Sequence, residues 1–397
     1  MNKSRVGKWA PCAMTIGTLV ACSSSPSDPP PQSNPPVGTQ TPGTDDALAG
    51  RAAVTLGTQG WQVLSSAIAT QSGVQISSPD FSTQGWLPVK PDDAGAPGTE
   101  INALVQNGQC ADVFFSDNMR KCFGYVTTRG PVTVKQFAVP WWFRTDFTPQ
   151  FAQGQHAKLI IGGVVGEADV WVNGKQVATR DTVSGAFSGH TFDVSALVHA
   201  GKNSLAIKMY PNDPSKMFTV DNVDWAQIPP DNQTGIQYPI QLQISDALSG
   251  SNAHVVQKNA PDLSSSALTV KVDVTNDSAQ TQQGTVTATV TPPAGGSPIV
   301  VQQTVSVAAH ATTTVSFSSD KFASLNIAHP QVWWPYLFGA QPLYTLTTEV
   351  AQNGKVSTSA SDTFGIRTVT SRLVGKSSAA PQGARIFAIN GKEFVFR

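Results

Sequence analysis

Ala168-Asp169-Val170-Trp171-Val172-Asn173-Gly174-Lys175-Gln176-Val177 alternates apolar and polar residues around a central Asn-Gly pair. Consecutive side chains of an extended strand point to opposite faces, and Asn-Gly suits the two positive-φ positions of a type I′ turn. The stretch therefore predicts a β-hairpin with a buried face. Its period recurs on both sides: Lys158-Leu159-Ile160-Ile161-Gly162-Gly163-Val164, Gly189-His190-Thr191-Phe192-Asp193-Val194 and Asn203-Ser204-Leu205-Ala206-Ile207-Lys208-Met209, with a turn at Ala200-Gly201. Only Glu100 to Gln106 hints at a short helix. Many short strands without a sustained 3.6-residue period predict an all-β sandwich or jelly roll over residues 47–246.

Farther on the alternation is more regular, in Ala267-Leu268-Thr269-Val270-Lys271-Val272-Asp273-Val274, Gly284-Thr285-Val286-Thr287-Ala288-Thr289-Val290 and Thr313-Thr314-Val315-Ser316-Phe317. About seven such strands in roughly a hundred residues fit an immunoglobulin-like β-sandwich over residues 247–368. The last residues, from Phe387 to Arg397, form two short strands around Asn390-Gly391. A hairpin of this kind opens a domain, so residues 369–397 are expected to begin a further one, and the chain to be the front of a larger protein.

Lys plus Arg and Asp plus Glu both number 26 among 397 residues, so no net field draws nucleic acid or an anionic surface to the protein. Charged residues make up 13% of the chain, about half the usual share, and Thr, Ser, Gln, Val, Gly and Pro fill the deficit. That is the composition of a strand-rich exported protein. Lys3, Arg5 and Lys8 precede a short apolar run from Trp9 to Ala21, which reads as a signal peptide. Its end, Leu19-Val20-Ala21-Cys22, resembles a bacterial lipobox in which Cys22 carries the lipid; an ordinary signal peptide is the alternative. Residues 22–46, rich in Pro, Ser, Gly and Thr, read as a disordered tether. Cys12 leaves with the signal, so Cys110 and Cys122 remain as a pair for a disulfide in an oxidising compartment. A metal site is the weaker alternative, since no nearby His or Cys adds ligands at a recognised spacing.

The order of segments resembles the non-catalytic front half of family 2 glycoside hydrolases, closest to the exo-β-D-glucosaminidase and β-mannosidase branch. The segments that carry it are Pro140-Trp141-Trp142-Phe143-Arg144-Thr145, the hairpin quoted first, Phe192-Asp193-Val194 with Gly201-Lys202-Asn203, and Asp224-Trp225 with Pro229-Pro230-Asp231 and Gly235-Ile236. Trp333-Trp334-Pro335-Tyr336 with Gln341-Pro342-Leu343-Tyr344, Phe364-Gly365-Ile366-Arg367, and Ile389-Asn390-Gly391-Lys392 continue it in the family's order. The resemblance implies a jelly roll, an immunoglobulin-like domain and a catalytic (β/α)8 barrel, of which only the opening hairpin is present. The family is retaining, which calls for two carboxyl groups about 5 Å apart. In the family both are Glu, the acid following an Asn. Glu100, Glu167, Glu349 and Glu393 are the only Glu residues here, and none follows an Asn, so no catalytic residue is assigned.

The Pro-stiffened loop from Asp221 to Asn232 is the candidate for sugar contact. Carboxylates and amides exchange hydrogen bonds with hydroxyls while an indole stacks on a ring face. By resemblance it closes the subsite for the terminal sugar, and Asp224, Trp225, Asp231 and Asn232 are the candidate substrate-binding residues. The alternative is an interdomain packing loop whose Asp residues cap turns. Trp141 and Trp142 point to opposite faces, one into the core and the other onto a neighbouring domain; Trp333-Trp334 is expected to plug a domain junction. Six scattered His residues offer no metal spacing. The segment from Asp112 to Arg120 also resembles a family stretch near the domain interface, here closed by the two cysteines.

These readings converge on the N-terminal part of an exported, lipid-anchored, exo-acting retaining β-glycosidase for β-linked glucosaminides or mannosides. It needs no cofactor or metal, has carbohydrate and the barrel as partners, and is inactive alone. The alternatives are a non-catalytic carbohydrate-binding surface lipoprotein and a structural stalk.

Overall fold

The computed structural model describes residues 52–125, 130–218, 228–378 and 380–394. The expected signal segment, Cys22 and the expected tether lie outside the described residues, as do Asp224 and Trp225.

The first region is a jelly-roll sandwich. One sheet runs Val54–Thr55, Ile240–Ser245, His156–Ile161, His190–Asp193. The facing sheet runs Leu87–Val89, Trp61–Ser65, Trp141–Phe147, Asn203–Tyr210, Glu167–Val172, Lys175–Ser184. A third, small sheet of Gly98–Thr99, Gly235–Ile236 and Val164–Val165 joins the ends of segments far apart in sequence. All these pairings are antiparallel. The hairpin turn has φ of 49° at Asn173 and 79° at Gly174, as type I′ requires. The short helix forms at Glu100–Gln106, capped by Thr99, whose hydroxyl accepts from Asn102 N at 3.1 Å.

The six-stranded sheet is buried on both faces. Leu205, Ile207, Met209, Val170 and Phe143 fill the space between the sheets. On the outer face the segment from Ala69 to Trp86, with a helical turn at Gly73–Ile76, covers Trp142, Trp171 and Ala206. Trp141 stacks on Phe137 inside, with ring centroids 6.2 Å apart, whereas Trp142 leans on Trp171 outside at 5.3 Å. The expectation that one of the two packs on a neighbouring domain is thus corrected: both are buried within the first sandwich, because the chain between the first strands folds back as a cover. Buried Arg144 fastens that cover, its Nε donating to Ile76 O at 2.9 Å and its Nη2 to Ser78 O at 3.0 Å, with Asp146 balancing the charge at 2.8 Å.

The second region is the immunoglobulin-like sandwich. One sheet is Leu248–Asn259, Ser265–Asn276, Thr312–Ser318, with Asn326–Ala328 on the end of the middle strand. The other is Ile299–Val307, Gln282–Thr291, Tyr344–Gln352, Lys355–Phe364. Leu268, Val270, Val272 and Val274 alternate inward to meet Val286, Ala288, Val290, Leu346 and Phe317. Each such side chain contributes about 1.5–3 kcal/mol on burial.

The two sandwiches meet through polar contacts. Lys158 Nζ sits 2.8 Å from Asp277 Oδ2 and donates to Ser249 Oγ at 2.8 Å, with little solvent access. Across the same joint Ser357 Oγ accepts from Asp246 N at 2.9 Å, while within the second sandwich Thr358 Oγ1 accepts from Gly250 N at 2.8 Å.

Beyond the second sandwich, Val369–Val374, Ala384–Ile389 and Lys392–Phe394 form an antiparallel three-stranded sheet, with the turn at Asn390 and Gly391. The strand Val369–Val374 is additional to the expected hairpin; nearly all its residues are exposed, so it carries no buried alternation. Asn390 Nδ2 donates to Trp333 O at 3.0 Å, Arg367 lies 4.8 Å over the Trp333 ring, and Lys392 lies 4.9 Å over Trp334. The tryptophan pair thus stands where this small sheet meets the sandwich.

Candidate functional site

The described part of the candidate loop, Ile228 to Thr234, returns the chain to the small sheet at Gly235–Ile236. Pro229-Pro230 restricts the backbone, and Asn232 N then donates to Pro229 O at 3.0 Å to close a turn. Asn232 and Gln233 follow with φ of 47° and 58°, a left-handed pair that Asn tolerates better than most residues.

Asp231 organises this turn. Its Oδ1 accepts from Gln233 N at 2.9 Å, its Oδ2 from Ile101 N at 3.2 Å, and its carbonyl from the Thr234 hydroxyl at 2.7 Å. The Ile101 bond ties the loop to the first turn of the Glu100–Gln106 helix. Asn232 Nδ2 donates to Gly130 O at 2.6 Å, and Asn212 Nδ2 donates to Asn232 O at 2.8 Å. Asn212 N donates in turn to Thr234 Oγ1 at 2.9 Å. Three distant chain segments are therefore gathered behind one loop.

This geometry corrects the sugar-contact reading of two residues. Asp231 is 1% exposed and Asn232 0%, and both face inward, because their hydrogen-bond partners are backbone groups behind the loop. They hold the loop's base. The other two candidates, Asp224 and Trp225, lie outside the described residues.

Glu100 is the group that sequence reasoning missed. It is fully buried at the start of the helix, and both carboxyl oxygens lack a hydrogen-bond partner among the described residues. Burial, and then the charge of Asp231, push its carboxyl well above the usual carboxylate range. A charged residue opening an apolar helix in a chain so poor in charge was the available signal.

Cys110 and Cys122 are joined by a disulfide, with Cα atoms 5.9 Å apart. Between them Asp112 Oδ1 accepts from Phe114 N at 3.3 Å and Asn118 Nδ2 donates to Asp112 O at 2.9 Å, while Phe114 and Phe115 project outward.

Glu167 and Asp169 share one face of a strand, but Arg180 pairs with Glu167 and the Tyr210 hydroxyl donates to Asp169 at 2.7 Å. Burial and that bond push the Tyr210 hydroxyl up to about 12, so this cluster is occupied with itself. A cleft of about 340 Å³ lined by Gln257, Leu343, Phe364, Gly365, Arg367 and Val369 contains no carboxylate. Among the described residues no three His, Cys, Asp or Glu side chains group as metal ligands.

Comparison with known proteins is consistent with this architecture. Residues 68–233 match the domain described as glycosyl hydrolase 2 galactose-binding domain-like, and residues 251–367 match glycosyl hydrolases family 2. The exo-β-D-glucosaminidase of Amycolatopsis orientalis is 39% identical over 335 residues, 84% of this chain and 29% of that protein. That of Streptomyces avermitilis is 33% identical over 384 residues, 96% of this chain and 38% of that protein. The crystal structure of the Amycolatopsis orientalis exo-chitosanase CsxA superposes with a TM-score of 0.70 at 38% identity, covering 86% of this chain and 36% of that one. The chain thus spans about a third of the length of these relatives, and with both matched domains in their order it belongs to glycosyl hydrolase family 2.

Proposed function

We propose that these residues are the N-terminal, sugar-recognising portion of an exported exo-acting retaining β-glycosidase for β-linked glucosamine. The observation that carries this is the extended likeness to exo-β-D-glucosaminidases across both sandwiches, 39% identity over 335 residues in one case. Hydrolysis belongs to a barrel outside this chain: Glu100 is buried, Glu167 is paired with Arg180, and neither stands with a second carboxyl in an open cleft. Asp224 and Trp225 complete the sugar pocket from the loop whose base Asp231 and Asn232 hold. Export with a lipid on Cys22 is part of the reading, supported by the basic and apolar N-terminal run ending in Leu19-Val20-Ala21-Cys22.

The test compares this chain with the same chain joined to a family barrel, using an aryl β-D-glucosaminide. The chain alone releases no aryl alcohol, the joined form does, and Asp224→Ala in the joined form lowers kcat/KM by about a hundredfold. Release by the chain alone would overturn the assignment of catalysis to the barrel. An unchanged kcat/KM would remove Asp224 from the pocket.

A further inference from the structure

Two carboxyl groups stand where the Glu100–Gln106 helix meets the loop from Ile228 to Thr234, and they are served unequally. Asp231 rests both oxygens on backbone N–H groups, Oδ1 on Gln233 N at 2.9 Å and Oδ2 on Ile101 N at 3.2 Å, which stabilises its charged form. Glu100 is 0% exposed, and neither of its oxygens has a hydrogen-bond partner among the described residues. A buried carboxylate without donors costs far more than the neutral acid, so of the two it is Glu100 that keeps a proton.

The backbone around that carboxyl is what fastens the loop. Glu100 N donates to Thr234 O at 3.1 Å, Ile101 N to Asp231, and Thr234 N back to Asp231 O at 3.0 Å. Thr99 pairs with Gly235 in the small sheet, so closely that a Cβ on Gly235 would lie 2.3 Å from Gly98 O. A negative charge on Glu100 would therefore arise within the turn that presents Ile101 N to Asp231. No opposite charge meets it among the described residues of the adjoining elements. The helix from Ile101 to Gln106 is uncharged, the small sheet brings only Gly, Thr, Ile and Val, and Asn212 and Asn232 bring amides to the loop's inner side. The charge whose field reaches Glu100 is that of Asp231, which is of the same sign. Two like charges cannot share a dry joint, and water reaches Glu100 only when the loop lifts from the helix.

We propose that Glu100 and Asp231 form a proton-operated latch: neutral Glu100 holds the loop from Ile228 to Thr234 on the helix, and ionised Glu100 releases it. On opening, the proton passes to solvent as the bonds from Ile101 N to Asp231 and from Glu100 N to Thr234 part; on closing it returns. In the open form Glu100 is wet and titrates in the ordinary carboxylate range, whereas in the closed form burial, and then the Asp231 charge, hold it well above that range. The sign follows from this difference. The latch is fully shut below the ordinary carboxylate range, loosens as pH rises toward the raised value, and loosens no further beyond it. The inference concerns how the loop's base is anchored and stands whatever the loop recognises.

The experiment is amide hydrogen exchange of the 397-residue chain, followed by mass spectrometry across pH and expressed as protection factors, which remove the intrinsic base dependence of exchange. Peptides spanning residues 98–106 and 228–236 are expected to lose protection together, about tenfold per pH unit between the ordinary carboxylate range and the raised value. At every pH they remain less protected than peptides from the core strand Asn203–Tyr210, because the latch opens without unfolding the sandwich. Glu100→Gln makes their protection independent of pH. Glu100→Leu, neutral and apolar, does the same and guards against an amide that the joint cannot satisfy; melting temperature is the folding control for both. Protection that does not change with pH in the unaltered chain overturns the proposal, as does a pH dependence that survives both substitutions. Protection equal to that of the core strand overturns it too, since the loop would then open only with the whole sandwich. Hydrolysis enters none of these readouts, so the proposed function is decided separately.

Discussion

The two sandwiches solve the same packing problem with different materials. In the second, long strands such as Ser265–Asn276 bury every other residue, and the core is mostly Val, with Leu, Ala, Ile366, Phe317 and Tyr344, between two sheets. The first has six strands in its larger sheet, covers that sheet on both faces, and buries Arg144, Asn212, Asp231, Asn232 and Glu100 along with its tryptophans. A regular core stabilises cheaply and leaves nothing to recognise a ligand. Buried polar groups cost free energy unless fully paired, so they are kept where a loop must hold one shape. The contrast teaches that the chain divides its work: one region is scaffold, the other carries the loops.

The sharpest way to break that contrast is to remove the outer layer of the first sandwich. Trp142→Ala leaves a large hole beneath the Ala69–Trp86 cover and is expected to cost about 3–5 kcal/mol in denaturant titrations followed by tryptophan fluorescence. A loss below about 1 kcal/mol would show that the cover is not packed as described.

Cutting the disulfide is the next test. Chain entropy assigns about 3 kcal/mol to a loop of this length, so the double variant Cys110→Ser with Cys122→Ser lowers the first sandwich's stability by that order. The second sandwich contains no cysteine and keeps its hydrogen-exchange protection. Protection lost equally in both regions would mean that the two do not divide as stated.

The smallest expected effect is at Glu100. Its folded-state carboxyl titrates above the unfolded one, so the native state holds the proton more tightly and stability falls as pH rises from the ordinary carboxylate range toward the raised value. Glu100→Gln is therefore expected to raise the melting temperature at neutral pH, with the gain vanishing below the ordinary carboxylate range. A gain of the same size at every pH would assign the effect to packing and not to charge.

How much of this was legible in the sequence follows the same division. Alternation in residues 267–274 and 284–290 places the second sandwich's strands directly, since one buried face per strand is what period two encodes. In the first, the Asn173-Gly174 hairpin and the Glu100–Gln106 helix were readable from turn chemistry and local pattern. Trp142 was not, because the strand Trp141–Phe147 has cover on both faces and the cover comes from residues some 60 positions earlier. Asp231 and Asn232 look like sugar ligands in a polar loop. Their inward orientation depends on Ile101 and Gly130, partners about 100 or more positions away.

The polar joint between the sandwiches has a mechanical consequence. An apolar contact can slide a little at small cost, whereas the hydrogen bonds of Lys158 to Ser249 and Asp246 to Ser357 are directional and admit one angle. The pair of sandwiches therefore behaves as a braced elbow. Any twist at the elbow grows with distance from it, and catalytic geometry tolerates misplacement of only about 1 Å before rates fall a hundredfold. Lys158, far in sequence from the Ile228–Thr234 loop, in this way sets the alignment of the arm on which that loop is mounted.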